Sequence, residues 1–388
     1  MLTAELQIEL SDEERFMCAA LVHRDVTDRE LVRDLYLQLG DDALFALCER
    51  NGITSIAAAA LTRSLEDKPA RWRHSHTGVK RRVSSYMEQL DLVAGIFAEN
   101  DIPLIALKNS GIARGIYPFY GECPMGDIDV LVARTDFRKA HSLLIELGFE
   151  FKFRSPLESE DLDKAEQGGG AEYRISSGEE NSWFELQWRP VAGRWIRPDQ
   201  EPDAGELLGR SVAIEGTQAR MLLPEDNLLQ VALHTAKHSF VRSPGFRLHT
   251  DVDRIVRETE IDWHVFLDRV ATLEVKTAVY FSLALAHDLL GTPVPQEALT
   301  GLRPGQLKVA LVTRWLEKVG LFEPESKKWS RIGYVLFVVL LYDDISGLVR
   351  SVFPDRAWMQ QRYGEKGNLP YLYVRRILDL LLNRTLSD

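Results

Sequence analysis

The heptapeptide Gly126-Asp127-Ile128-Asp129-Val130-Leu131-Val132 constrains this chain more than any other stretch. Two carboxylates lead into a run of branched apolar residues, which reads as a β-strand with an acidic start. Strand side chains alternate, so Asp127 and Asp129 share one face at about 7 Å spacing, while Ile128 and Val130 face a core. Two carboxylates on one face repel each other unless a cation lies between them. An oxygen-rich pair suits Mg²⁺, which binds through one or two carboxylates together with substrate phosphates. A bare Asp-x-Asp also occurs as a turn cap beside a solvated acid, so the flanking sequence has to decide.

Bulk properties set the outer limits. With 388 residues the chain is long enough for two or three domains and a substantial core. Its formal net charge of −11 argues against a non-specific nucleic-acid binder, which needs a basic surface. Cys18, Cys48 and Cys123 form no CxxC pair, which fits a reducing compartment. The opening MLTAELQIELSDEERF is acidic and has no apolar leader, so a cytoplasmic protein is expected. The most apolar window, IGYVLFVVLLY at 332–342, is too short to cross a bilayer and is expected to be a buried core helix.

Helical signals dominate residues 11–65, beginning with the capping-box pair Ser11 and Glu14. Residues 66–80 are polar and basic and read as a connection, with Arg71, Arg73, Lys80, Arg81 and Arg82 solvated around Trp72. A helix over 80–100 follows, with Tyr86, Leu90, Val93 and Phe97 on one stripe. A short buried strand at 102–107 runs into the small-residue turn Lys108-Asn109-Ser110-Gly111. After the acidic strand come a helix at 135–147, a strand at 149–153, a loop at 154–170 read as mobile, and a hairpin of 171–175 with 182–189. In that last strand Glu185 and Gln187 share one face, and Phe184 and Leu186 the other. A small strand pair is expected within 212–223, and helices from Pro224 onward. The expected class is α+β: helices over 1–80, a small mixed-sheet core over 81–223, and a helical domain over 224–388.

This order of elements resembles the nucleotidyltransferase superfamily related to DNA polymerase β, and within it the uncharacterised bacterial nucleotidyltransferase group. The segments LIALKNSGIARGIYP, CPMGDIDVLV, WFELQWRP, NLLQVALHTAKH and RLHTDVDRIV bear the likeness, over most of residues 40–260. Three positions depart from the group's usual pattern: Asn109 stands for Gly, Cys123 for Arg and Gln187 for His. The resemblance implies a metal site of Asp127, Asp129 and Glu185 holding Mg²⁺ or Mn²⁺, with Glu185 also a candidate general base. It implies a nucleoside triphosphate substrate, with Lys108, Asn109 and Ser110 receiving phosphates at a helix N-terminus. Read without the resemblance, Lys108 is a surface lysine at a strand end and Ser110 caps the following helix.

The acceptor implied is a small molecule, a peptide or a protein. The acidic chain makes RNA a weaker choice, and no membrane partner is expected. His234 and His238 have the spacing of zinc ligands on a helix. Without a Cys or a third His they read instead as packing or substrate contacts, together with Lys237 and Asp251. Two other outcomes stay open: phosphoryl transfer from the same site, and a degenerate nucleotide-binding scaffold motivated by Asn109, Cys123 and Gln187.

Overall fold

The computed structural model describes residues 5–6, 8–22, 26–66, 69–155, 160–177, 180–192, 195–324, 331–354, 356, 359–360 and 368–382. Its centre is one mixed sheet of seven strands: β1 (Ile105–Ala106), β2 (Ile128–Leu131), β3 (Glu150–Phe151), β4 (Gly170–Ser177), β5 (Glu180–Gln187), β6 (Val212–Ala213) and β7 (Arg220–Met221). The spatial order is β3-β4-β5-β2-β1-β7-β6. The acidic strand is therefore central, paired antiparallel with β1 and parallel with β5. All four of its residues are buried. A strand covered on both faces needs apolar residues at successive positions, which explains the unbroken Val-Leu-Val that follows Asp129. The β4–β5 hairpin forms as its alternation predicts, from Gly170 opposite Gln187 to Ser177 opposite Glu180. Parallel register then sets Asp129 directly against Glu185.

Buried apolar side chains form a small cluster of Ile105, Leu107 and Leu131 with Leu207 and Leu222, and two larger cores. The helices Ala70–Glu99 and Phe137–Glu146 bury Val83, Leu90, Phe97, Phe137 and Leu144 with Ile128, Val130 and Phe184 of the sheet. The other core joins both ends of the chain: Phe16, Met17 and Leu44 pack in one cluster with Leu228, Phe240, Phe281 and Phe337. Polar ties support that junction. The Glu5 and Leu6 amides donate to the Asp288 carboxylate, and Asn51 Nδ2 donates to the Phe322 carbonyl at 3.0 Å. The helical stretches on either side of the sheet thus share a core. The chain is α+β, with a mixed-sheet unit flanked by helices. Among the described residues no helix is long and apolar enough to cross a membrane.

Three local expectations change. The basic stretch read as a connection is helical from Ala70, and the helix runs 30 residues to Glu99. Trp72 anchors its polar start: the ring is fully buried and its Nε1 donates to Asp41 at 2.6 Å, while Arg71 pairs with Asp41 and Asp42. The loop at 154–170 contains the helix Leu162–Gly168, capped by the Asp161 carboxylate and closed by Gly169 at φ 107°. Residues 156–159 of that loop lie outside the described ones. The apolar helix Arg331–Leu341 is only half covered: Phe337 is buried, but Val335 and Leu336 face outward, because only one side packs on the helix Gln306–Val319. The Ser11–Glu14 capping box is present as expected, with Ser11 N donating to Glu14 and Glu14 N donating to Ser11 Oγ.

The turn after β1 depends on one close approach. A Cβ on Gly111 would stand 2.5 Å from the Ala106 carbonyl oxygen, too near for any real contact. Gly78, in the long helix, has nothing within 4 Å of the same added atom. Gly111→Ala is expected to destabilise the fold by about 1–3 kcal/mol through overpacking. Gly78→Ala is expected to stabilise it by about 0.5–1 kcal/mol through helix propensity. Chemical denaturation of the two variants checks these opposite signs.

Candidate active site

β2 and β5 bring three carboxylates together. One oxygen from each of Asp127, Asp129 and Glu185 lies within 4.8 Å of the others, the cluster of metal-ligand type found among the described residues. An all-oxygen donor set fits a hard divalent cation such as Mg²⁺ and gives no reason to select zinc. His234 and His238 meet edge to face with ring centroids 4.8 Å apart, and His238 Nδ1 contacts the Ser243 carbonyl at 2.6 Å. They do not join the carboxylate cluster.

The turn before β2 fixes the middle acid. Leu107 N donates to the Asp129 carbonyl and Asp129 N donates to Ser110 Oγ, both at 2.9 Å. Ser110 is fully buried and holds this strand, whereas the sequence alone suggested a helix cap. The helix Lys108–Gly111 has no side-chain cap. Lys108 is also displaced from its expected surface position. Its backbone takes φ 51°, a left-handed conformation that costs an L residue about 1 kcal/mol, and this turns the side chain inward. Lys108 Nζ lies 2.7 Å from Asp129 Oδ1 and 3.6 Å from Glu185 Oε2. Gln187 Nε2 donates to the same Asp129 oxygen at 3.2 Å.

Arg154 supplies the other cation, 2.6 Å from Asp127 Oδ2, and also pairs with Glu172. Nothing in the local sequence marks Arg154. It follows β3, and only the pairing of β3 through β4 and β5 to β2 carries it to Asp127. The two cations differ in exposure: the Lys108 side chain is 7% exposed and that of Arg154 38%.

Burial raises Asp129 well above the usual carboxylate range, with the charges of Asp127 and Glu185 adding and Lys108 opposing. Burial also pushes Glu185 upward, but there the Lys108 ammonium, the hydrogen bond with Asp129 and the charges of Lys237 and Arg154 together override it and hold the carboxyl down at about 2. The two carboxyls form one coupled pair. Glu185 is 24% exposed and Asp129 only 6%, so the cost of desolvation falls harder on Asp129. Lys108 stays charged: burial would lower it, and the carboxylates, led by Asp129, more than compensate.

The C-terminal helices Pro224–Lys237 and Leu248–Glu258 form the facing wall. Asn109 Nδ2 donates to Asp251 Oδ2 at 3.2 Å, tying the turn after β1 to the second of these helices. Lys237 Nζ donates to the Val191 carbonyl at 3.2 Å, and its charge acts on Glu185. Arg247, which the sequence reading did not single out, donates to the Pro124 carbonyl, and its charge is felt by Asp251 and Asp127. Burial, reinforced by nearby cations, lowers His234 and holds His238 down at about 3, so both rings are neutral near pH 7. The three departures from the group's pattern all make defined contacts. Asn109 binds Asp251, Gln187 binds Asp129, and buried Cys123 Sγ donates to the Tyr117 carbonyl while Arg254 approaches it at 3.7 Å.

A mixed sheet with a carboxylate trio on adjacent parallel strands, one side open to helices bearing cations, defines a nucleotidyltransferase-type site. The family model described as uncharacterised nucleotidyltransferase matches residues 38–291, and the chain belongs to that family. It is accordingly a transferase of phosphorus-containing groups, with a nucleoside triphosphate as substrate. No curated protein and no solved structure matches it.

Asp251 is 1% exposed, and its Oδ1 has no hydrogen-bond partner. Burial raises its carboxyl to about 6, with Arg254 and Arg247 pulling the other way. A raised carboxyl contributes stability that is complete below its unfolded value near 3.8 and is lost as pH rises through 6. That displacement is worth about 3 kcal/mol. Asp251→Asn is therefore expected to stabilise the fold at pH 8 by up to about 3 kcal/mol, with the gain vanishing near pH 4. Denaturation midpoints of wild type and variant across that range provide the check.

Proposed function

We propose that the protein transfers a nucleoside monophosphate from a nucleoside triphosphate to a hydroxyl or similar group, using Mg²⁺ or Mn²⁺ held by Asp127, Asp129 and Glu185. The observation behind this reading is the β2–β5 register, which gathers the three carboxylate oxygens within 4.8 Å. The ion supplies Lewis-acid stabilisation of charge on the transferring phosphoryl group. The chain's own residues do the rest. The acceptor oxygen forms a bond to the α-phosphorus as the bond from that phosphorus to the bridging oxygen breaks. Its electron pair leaves with pyrophosphate. The acceptor proton passes to the ionised Glu185 carboxylate, the candidate general base of the trio.

With Lys108 turned in on the carboxylates, the triphosphate falls to Lys237 and Arg247 on the facing wall. Both meet backbone carbonyls in the structure, and among the described residues neither pairs with a carboxylate within hydrogen-bond distance. Asn109 orients that wall through Asp251. The neutral rings of His234 and His238 line it as donors or acceptors for the acceptor substrate. A net charge of −11 favours a small molecule, a peptide or a protein over RNA as that acceptor. We assign the site to a core unit over 81–223 between helical regions at 1–80 and 224–388, and expect a cytoplasmic protein.

Asp127→Asn should leave the far-UV circular dichroism and melting profile intact and lower transfer of α-³²P label from triphosphate by at least about 10³-fold, since a metal's charge stabilisation is worth several kcal/mol. Full transfer by the variant would remove the assignment. Label arriving only from the γ position would make the site a phosphoryl-transfer centre instead.

A further inference from the structure

We propose that Lys108 is a built-in cation occupying one of the two cation positions of the acidic cluster, so that the site works with a single divalent ion between Asp127 and Asp129. The inference rests on the nucleotidyltransferase reading and narrows the ligands of its ion to Asp127 and Asp129, with Glu185 facing the ammonium instead. Two-ion sites place their cations about 3.5–4 Å apart, one on the acceptor side and one on the leaving-group side. Glu185, which takes the acceptor proton in the proposed reaction, marks the acceptor side, and the Lys108 ammonium lies beside it, between Asp129 Oδ1 at 2.7 Å and Glu185 Oε2 at 3.6 Å.

Two cations neutralise this cluster in the structure, and they are not equally replaceable. Arg154 reaches Asp127 from a side chain 38% exposed, a pair that water screens and an incoming ion can displace at little cost. Lys108 is 7% exposed and faces an Asp129 side chain 6% exposed, where loss of one partner strands the other charge without solvent. Its left-handed backbone, φ 51°, is anchored on both sides: the Leu107 amide donates to the Asp129 carbonyl, and Ser110 Oγ accepts from the Asp129 amide. The same geometry divides the oxygens. Asp129 Oδ1 takes both Lys108 and Gln187, so an ion is left with Oδ2 and with Asp127. Charge balance agrees, since one ammonium and one divalent ion together match three carboxylates. In the reaction the ammonium stands beside the acceptor oxygen and stabilises its developing negative charge, as a second ion would.

Counting bound metal tests this directly. The protein is dialysed to equilibrium against Mn²⁺ and a mixture of the four α,β-methylene ribonucleoside triphosphates, and metal and nucleotide retained per chain are both measured. The expected result is one Mn²⁺ per chain for wild type and two for Lys108→Met, each with one nucleotide. Two Mn²⁺ in wild type overturns the inference and leaves the nucleotidyltransferase reading standing, as does a single Mn²⁺ in a folded Lys108→Met. Retention of neither metal nor nucleotide by wild type contradicts the nucleotidyltransferase reading itself, and the inference falls with it. If Lys108→Met does not fold, the wild-type count decides alone.

Discussion

A desolvated ammonium among three carboxylates is the interaction on which this structure depends. Charges are costly to remove from water unless they are paired and hydrogen-bonded. Lys108 and Asp129 meet that condition because each is fixed before they touch. Asp129 sits on a central strand with no freedom to slide, its amide and carbonyl both engaged by the turn after β1. Lys108 is turned inward by a left-handed backbone that the close packing of Gly111 on Ala106 helps to hold.

The surrounding architecture follows from the same requirement. A slip of one residue between β2 and β5 would send Glu185 to the opposite face and break the trio. The hairpin with β4, with eight paired positions, fixes β5 against such a slip. On the other side of the cleft, the two C-terminal helices are held by a core they share with the N-terminal helices. Lys237, Arg247 and Asp251 are thereby presented to the sheet from a body that is itself rigidly packed. The chain places its acids on the sheet and its substrate-facing cations on the helices, and a triphosphate between them meets both.

Much of this was legible in the sequence, and the reasons for success and failure are physical. Strand alternation fixes faces with little ambiguity, so Asp127 and Asp129 could be assigned to one side, while only the resemblance to the nucleotidyltransferase superfamily joined Glu185 to them. The inward course of Lys108 was not legible, because a left-handed lysine is uncommon and nothing in Leu-Lys-Asn-Ser-Gly marks it. Ser110 looked like a cap because caps are local, whereas its actual partner, the Asp129 amide, lies 19 residues away. Arg154 and Arg247 reach the site through sheet pairing and helix packing, which leave no short-range trace. The stretch from Ala70 to Lys80 failed for a different reason. Its first turns are polar on nearly every side and are held by buried Trp72, by Arg71 on Asp41 and Asp42, and by Ser75 on Thr54, with Val79 buried only at the end, so periodicity had little to report.

The most direct measurement is a crystal structure of the protein with Mg²⁺ and an α,β-methylene nucleoside triphosphate. The account predicts an α-phosphate oxygen on an ion bound by Asp127 and Asp129, with the β- and γ-phosphates running toward Lys237 and Arg247. A triphosphate bound away from the three carboxylates, or one that presents its γ-phosphate to them, would contradict it.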